Sequence, residues 1–425
     1  MDHRLCALTP PMGWNSWDCY GAAVNEEQLL GNAAYMAKYL KPYGWEYVVC
    51  DIQWYEPDAF DTDYTPLAPV CLDAYSRLVP AEKRFPSAAG GRGFAPIAAQ
   101  IHAMGLKFGI HILRGIPRQA VHARMPVMGG WTADQVADPF SICAWNSDMY
   151  GVKNTPQGQA YYDSLFALYA EWGVDYVKVD DLSCIKSTPE QPYSARHEIE
   201  MIRKAIDRCG RPMVYSLSPG PAPLEEAWHL GANGNLWRMT DDLWDDWSAL
   251  KAMFRRCELW QFAVAPGNWP DCDMLPVGHL NVNHRKGSRY TRLTHDEQIT
   301  MMNLWCIFRS PLMVGAELRD NDTFTLDLLT NRDVLEMHRH AHDARQLQRT
   351  EEEAVWRSQD DAGNVYLALF NLSDTERTVS ADLPENSRTA RDLWSYACQP
   401  CSGSSLSRRL APHASAVYRV TAESR

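Results

Sequence analysis

The chain has 425 residues, 46% of them hydrophobic, which suits one large α/β core with a smaller partner. Its net charge of −12 comes with no basic run long enough to track phosphates, which sets nucleic acid aside as a partner. No stretch approaches the roughly 18 apolar residues of a membrane span, and the first residues lack a charged-then-apolar leader, so no membrane partner and a cytoplasmic location are expected.

From residue 9 to about 320, short apolar runs alternate with longer segments of helical period, the texture of βαβ units around a parallel sheet. The runs 13–17, 47–54, 107–113, 175–181, 213–218, 236–241, 261–269 and 312–316 are predicted strands. Eight of them suggest a closed (β/α)8 barrel, and no GxGxxG turn follows the first run to favour an open nucleotide-binding sheet. The intervening segments 26–39, 159–172 and 198–209 carry apolar residues at three- and four-residue steps, and the last stops at Gly210. The Pro-, Asp- and Gly-rich stretch 56–93 is too long for a tight connection and is expected to build the rim of a site. Residues 331–348 read as a connecting helix. From about Glu351 short β-like runs with turn residues between them predict an antiparallel β-sandwich. The expected organisation is a catalytic barrel over 1–340 and a sandwich over 341–425.

Polar and charged residues gather at the C-terminal ends of the predicted strands. Trp17 follows the first, Asp51 and His111 end the second and third, and Lys178 and Asp180 end the fourth. Ser218 ends the fifth, Arg238 and Asp242 the sixth, and Asp271 and Asp273 follow the seventh. In a barrel these positions share one rim, where barrel active sites form. Any one Asp there could merely cap a helix. Five together with a Lys and an Arg suit a hydroxyl-rich ligand, because each sugar hydroxyl both donates and accepts. Two opposed carboxylates are the minimum for glycoside hydrolysis. Sixteen Trp and nineteen Tyr offer flat faces for sugar C–H groups, or simply a large aromatic core. Other chemistries fare worse. His338, His340 and His342 form an HxHxH run that reads as a solvated helix face rather than a metal site. No GxSxG elbow occurs. The twelve cysteines are scattered and expected as free thiols, and Cys398-x-x-Cys401 reads as a turn.

Four ordered motifs are recognisable: Thr9-Pro-Pro-Met-Gly-Trp-Asn-Ser-Trp17, Tyr176-Val-Lys-Val-Asp-Asp181, Trp237-Arg-Met-Thr-Asp-Asp242 and Asn268-Trp-Pro-Asp-Cys-Asp-Met-Leu275. Together they resemble glycoside hydrolase family 27, the family of α-galactosidases, α-N-acetylgalactosaminidases and β-L-arabinopyranosidases. The resemblance implies a barrel with a C-terminal sandwich, no cofactor, no metal, and a retaining exo-glycosidase that is often oligomeric. It implies Asp180 as nucleophile and Asp242 as general acid/base, preferred over Asp241, whose position is usually small or variable. Asp242 is then expected to be protonated at rest. Arg238 would serve the 2-hydroxyl side of the sugar, Lys178 the 3- and 4-hydroxyls, Asp273 the acid/base side, and Trp17 part of the wall.

Departures from the family pattern carry the specificity. Where α-galactosidases usually end strand 2 with Asp-Asp-Cys-Trp, this chain has Asp51-Ile52-Gln53-Trp54. That acidic pair normally holds the axial 4-hydroxyl and the exocyclic 6-hydroxyl. β-L-Arabinopyranose is α-D-galactopyranose without the C6 hydroxymethyl group, so Ile52 resembles the β-L-arabinopyranosidase branch, unless Gln53 serves the 6-hydroxyl instead. His111 replaces a common Tyr and could donate to a hydroxyl. Ser218 stands where a Glu is common, and a small residue there resembles the acetylgalactosaminidases. Cys143 and Cys184 could approach each other, as cysteines do in secreted relatives. The expected substrate is a plant-derived oligosaccharide or glycoside ending in β-L-arabinopyranose. An α-galactosidase is the alternative, and a non-catalytic sugar-binding protein the alternative outside enzymes.

Overall fold

The computed structural model describes residues 2–62, 64–182, 195–218 and 220–422. Eight short strands carry the first part of the chain: β1 (Met12–Asn15), β2 (Tyr47–Cys50), β3 (Lys107–Leu113), β4 (Tyr176–Asp180), β5 (Val214–Leu217), β6 (Leu236–Arg238), β7 (Trp269–Asp271) and β8 (Leu312–Val314). All neighbours are parallel, in the order β7-β6-β5-β4-β3-β2-β1-β8. The ring closes where Leu275, just past β7, pairs with Val314. There Leu275 N donates to Met313 O at 2.8 Å and Gly315 N to Leu275 O at 3.1 Å. Apart from the partly exposed Lys107 and Lys178, every strand residue is buried, as expected of a parallel sheet covered on both faces. Gly13 lets β1 approach its neighbour, since a Cβ there would lie 2.4 Å from Tyr47 O.

The helices start and stop where the sequence signals them. Glu26–Tyr39 opens on a capping box between Asn25 and Gln28. Pro156–Trp172 opens on the Thr155 cap and ends at left-handed Gly173. Arg196–Arg208 ends just before Gly210. Two expectations are corrected. The run 261–269 is not a strand. The helix Trp247–Trp260 continues into a tight turn Gln261–Ala263, the chain reverses through left-handed Gly267, and β7 begins only at Trp269. Residues 331–348 are not one helix either. The helix Arg332–His340 gives way to strand β9 (His342–Arg349), whose residues alternate in burial like those of a sheet edge. His338 is therefore no surface residue. It is fully buried, its Nε2 lies 2.7 Å from Ser310 O, and burial depresses its pKa to about 3.

The C-terminal part adds β10 (Glu353–Gln359), β11 (Val365–Asn371), β12 (Arg377–Asp382), β13 (Ser387–Asp392), β14 (Cys398–Pro400), β15 (Ser405–Leu410) and β16 (Ser415–Ala422). They form a sheet ordered β9-β10-β11-β16-β13-β14, with β12 and β15 paired beside it. Cys398–Pro400, expected as a turn, is thus an edge strand. β11 is buried on both faces. Leu367 and Leu369 enter the sandwich core, while Ala368 and Phe370 join the core of the barrel. The nearly all-buried helix His295–Phe308 lies between, with Thr300 Oγ1 donating to His413 O at 2.7 Å and Asn303 Nδ2 to Ser415 Oγ at 2.9 Å. No described helix is long and apolar enough to cross a membrane.

Candidate active site

The C-terminal ends of the barrel strands open on a cavity of ≈ 490 Å³. Asp51 (β2), His111 (β3), Lys178 and Asp180 (β4), Arg238 and Asp242 (β6) and Asp273 (after β7) all line it, with Trp17 at its edge. Residues more than two hundred positions apart meet here because parallel strands deliver their ends to one rim.

On one side Asp51 is the hub. Its Oδ2 accepts from Asn15 Nδ2 at 2.8 Å and lies 3.8 Å from Lys178 Nζ. Its Oδ1 accepts from Ile52 N at 2.8 Å and faces His111 Nδ1 at 2.8 Å. Burial alone would raise this carboxyl, but the charges of His111 and Lys178 and these hydrogen bonds hold it below the ordinary carboxylate range. His111 Nε2 in turn faces Asp180 Oδ2 at 3.0 Å. Both ring nitrogens thus point at carboxylate oxygens, which only the doubly protonated imidazolium satisfies. Burial opposes that charge, and Asp51 together with the two hydrogen bonds overcomes it, raising the His111 pKa. The imidazole has no nitrogen left for a hydroxyl, so the expectation that His111 donates to sugar is corrected.

Asp180 Oδ1 accepts from Asp181 N at 2.6 Å. Asp181 is left-handed (φ 61°) and is pinned by Arg114, whose Nη2 lies 2.8 Å from Asp181 Oδ2 and whose Nη1 donates to Glu198 at 2.7 Å. Burial lifts Asp181 to about 7 despite that arginine.

On the other side Arg238 forks between two acids. Its Nη2 donates to Asp242 Oδ1 at 2.9 Å, and its Nη1 lies 3.0 Å from Asp273 Oδ1. Asp273, left-handed at φ 80°, also accepts from Leu243 N at 2.7 Å. The Asp242 side chain is 60% exposed toward the opening, whereas Arg238 is buried. Burial pushes Asp242 up, but Arg238 prevails and lowers it, while the more deeply buried Asp273 is raised. The 2.9 Å guanidinium contact thus favours the carboxylate form of Asp242, against the expectation that it carries the proton at rest.

Two expected lining residues are elsewhere. Ile52 is fully buried in the hydrophobic core with Trp54 and Tyr55, because the chain reverses at once through left-handed Gln53. Ser218 is buried because its backbone extends the pairing with β4, its N–H donating to Val179 O at 2.8 Å. Gln53 does not line the cavity either: it is buried, and its Nε2 donates to Asp148 Oδ2 at 2.8 Å. Of the cysteine pair, Cys143 is a buried free thiol and Cys184 lies outside the described residues.

Other cavity residues escaped the sequence reading. Tyr64 and Trp145 come from long connections and continue the wall from Trp17: Tyr64 stacks on Trp17 (centroids 6.0 Å, 18°) and meets Trp145 at 5.3 Å. Leu243, Trp244 and Met274 add apolar surface. Asp18 lines the floor, only 3% exposed. Burial, and then the charge of Asp273, pushes its carboxyl well above the ordinary range. Its place beside Trp17 in the first motif was the available signal. An apolar wall facing a floor of carboxylates, one Lys and one Arg is the arrangement a pyranose needs, with C–H faces on rings and hydroxyls on paired charges.

Known proteins agree with this geometry. Residues 9–340 match the family described as alpha galactosidase A, and 350–420 the alpha galactosidase C-terminal beta sandwich domain. Among solved structures, a family 27 β-L-arabinopyranosidase from Geobacillus stearothermophilus is 54% identical, with a TM-score of 0.97 over 100% of this chain and 98% of that one. A putative α-N-acetylgalactosaminidase from Bacillus halodurans is 49% identical, with a TM-score of 0.88 over 98% of both chains. Alpha-galactosidase 2 of Arabidopsis thaliana is 26% identical over 98% of this chain and 90% of its own. The chain is a glycoside hydrolase of family 27, a member of the alpha galactosidase A family.

Proposed function

We propose that the enzyme removes terminal β-L-arabinopyranose from plant-derived glycosides with retention of configuration. Asp180 attacks the anomeric carbon as the bond to the leaving oxygen breaks, and Asp242 gives that oxygen its proton. Asp242 then takes a proton from water, which attacks the same carbon and releases Asp180. Because Asp242 rests ionised on Arg238, it takes up a proton from solvent before the first step, and a sugar 2-hydroxyl that takes over the guanidinium favours that uptake.

The observation that carries the choice of sugar is the end of β2. It offers one carboxylate, Asp51, whose oxygens are already engaged by Asn15, Ile52 N, His111 and Lys178. The next residue is a buried Ile, and Gln53 is tied to Asp148. A C6 hydroxymethyl group would find no second acid there, and an unpaired buried hydroxyl costs about 1–3 kcal/mol. The 54% identity to an arabinopyranosidase supports the same reading. Free thiols throughout the described cysteines fit a cytoplasmic enzyme.

The test is kcat/KM for the nitrophenyl glycosides of β-L-arabinopyranose and α-D-galactopyranose side by side. The expected preference for the arabinoside is about tenfold or more, from roughly 1.4 kcal/mol per decade. A preference for the galactoside would make the enzyme an α-galactosidase and leave the roles of Asp180 and Asp242 standing.

A further inference from the structure

Asp51, Asp180, Asp242 and Asp273 each hold a cationic or backbone partner at the cavity. Asp18 differs. Its Oδ2 is buried with no hydrogen-bond partner among the described residues, while the residue itself lines the cavity. Its backbone is fixed, with its carbonyl accepting from Asn281 N at 2.8 Å. The fold also makes room for the carboxyl: a Cβ on Gly315, just past β8, would fall 2.0 Å from Asp18 Oδ2. A buried polar group left unpaired is costly, and native proteins keep few of them. A polar group that borders the sugar cavity and lacks a partner among the described residues is one that a ligand can complete.

We propose that the Asp18 carboxyl is a further substrate-binding group, which hydrogen-bonds one ring hydroxyl of the bound pyranose on the side of the pocket between β1 and β8. The inference builds on the reading of the cavity as a pyranose site. Burial and the charge of Asp273 favour its neutral form, which both donates and accepts, as an anion beside four other acids would not. Asn matches it in size and keeps both capacities, whereas Ala keeps neither.

The experiment is a cycle between protein and sugar. Dissociation constants are measured for L-arabinose and its 2-, 3- and 4-deoxy forms with the wild-type enzyme, Asp18→Ala and Asp18→Asn. The expected result is about tenfold weaker arabinose binding to Asp18→Ala, corresponding to one net hydrogen bond, and a change of under about threefold for Asp18→Asn. One deoxy sugar should bind the wild type about tenfold more weakly yet lose nothing further in Asp18→Ala. Equal loss for all four sugars, or no loss, overturns the assignment. If Asp18→Ala does not fold, Asp18→Ser takes its place, since it keeps a hydroxyl in less volume. D-Galactose, run in parallel, shares the ring hydroxyls. If it proves the better ligand while the Asp18 coupling persists, the choice of sugar fails and this inference stands.

Discussion

Replacing His111 with Phe removes the link between Asp51 and Asp180 while filling its space. Two charge-assisted hydrogen bonds, at 2.8 and 3.0 Å, disappear. Each is worth about 1.5–3 kcal/mol, and breaking a buried ion pair from one side costs about 3–5 kcal/mol. Asp51 keeps Asn15, Ile52 N and Lys178, so the expected loss of stability is near the low end, roughly 3 kcal/mol. The pH dependence discriminates. His111 is flanked by Asp51, Asp180 and Lys178, and its folded pKa stands above the free value. Its contribution is therefore fully present below about pH 6.5 and is lost as pH rises through the folded pKa. Asp51 behaves oppositely: its folded pKa is depressed, so its share is present above about pH 3.9 and lost as pH falls through the folded value. Urea melts across this range should show wild type and His111→Phe furthest apart in mildly acidic solution and converging toward alkaline pH. Because Asp180 loses its lateral support, kcat/KM should fall about 100-fold, the effect of a small misplacement of a reacting group. Parallel stability curves for the two proteins, or a loss below about 1 kcal/mol, would falsify the imidazolium bridge.

Three further outcomes follow from the site. Asp180→Asn should lower turnover by more than about 10⁴-fold, and azide should restore cleavage to Asp180→Gly by a single displacement that yields the glycosyl azide of inverted configuration; near-normal rates in Asp180→Asn would remove it as nucleophile. Ile52→Asp should lower the melting temperature, because position 52 is fully buried in the core, and should leave the galactoside-to-arabinoside ratio of kcat/KM unchanged, because position 52 does not line the cavity; a raised ratio would return this side chain to the sugar site. Arg238→Met removes the group that lowers Asp242, so the Asp242 pKa should rise and the alkaline limb of the kcat/KM profile should move to higher pH; an unmoved limb means that another group carries the leaving-group proton.

Much of this site was legible because a parallel barrel gives the strand end a fixed meaning. Lys178, Asp180 and Arg238 needed only their strands to be recognised for their meeting to follow. The seventh strand was misplaced because 261–264 is apolar enough to read as sheet while in fact closing a helix, yet its acids were still found, since the motif and not the boundary located them. What failed has local causes. Ile52 and Ser218 sit at strand ends like their neighbours, but the left-handed turn at Gln53 and the continued pairing of Ser218 with β4 take them from the cavity. Tyr64 and Trp145 lie on long connections, where no periodicity says which ring returns to the rim. The protonation of Asp242 turned on a 2.9 Å contact with an arginine four residues earlier, a distance that spacing along a loop does not determine.

The double burial of β11 has a bearing on how this chain can be cut or shuffled. Since alternate residues of one strand belong to two cores, the sandwich is no detachable module. A truncation before β9 would leave the helix His295–Phe308 facing water along a flank that β11 and β16 now cover, and would also uncover Phe254 of the helix Trp247–Trp260, which packs on Phe370 at 4.9 Å. That helix leads directly into β8, and β8 ends at the glycine beneath Asp18. The outer domain thus serves as scaffolding for the last strand of the barrel, and grafting a foreign C-terminus onto this enzyme would have to rebuild that seam before it could preserve the pocket.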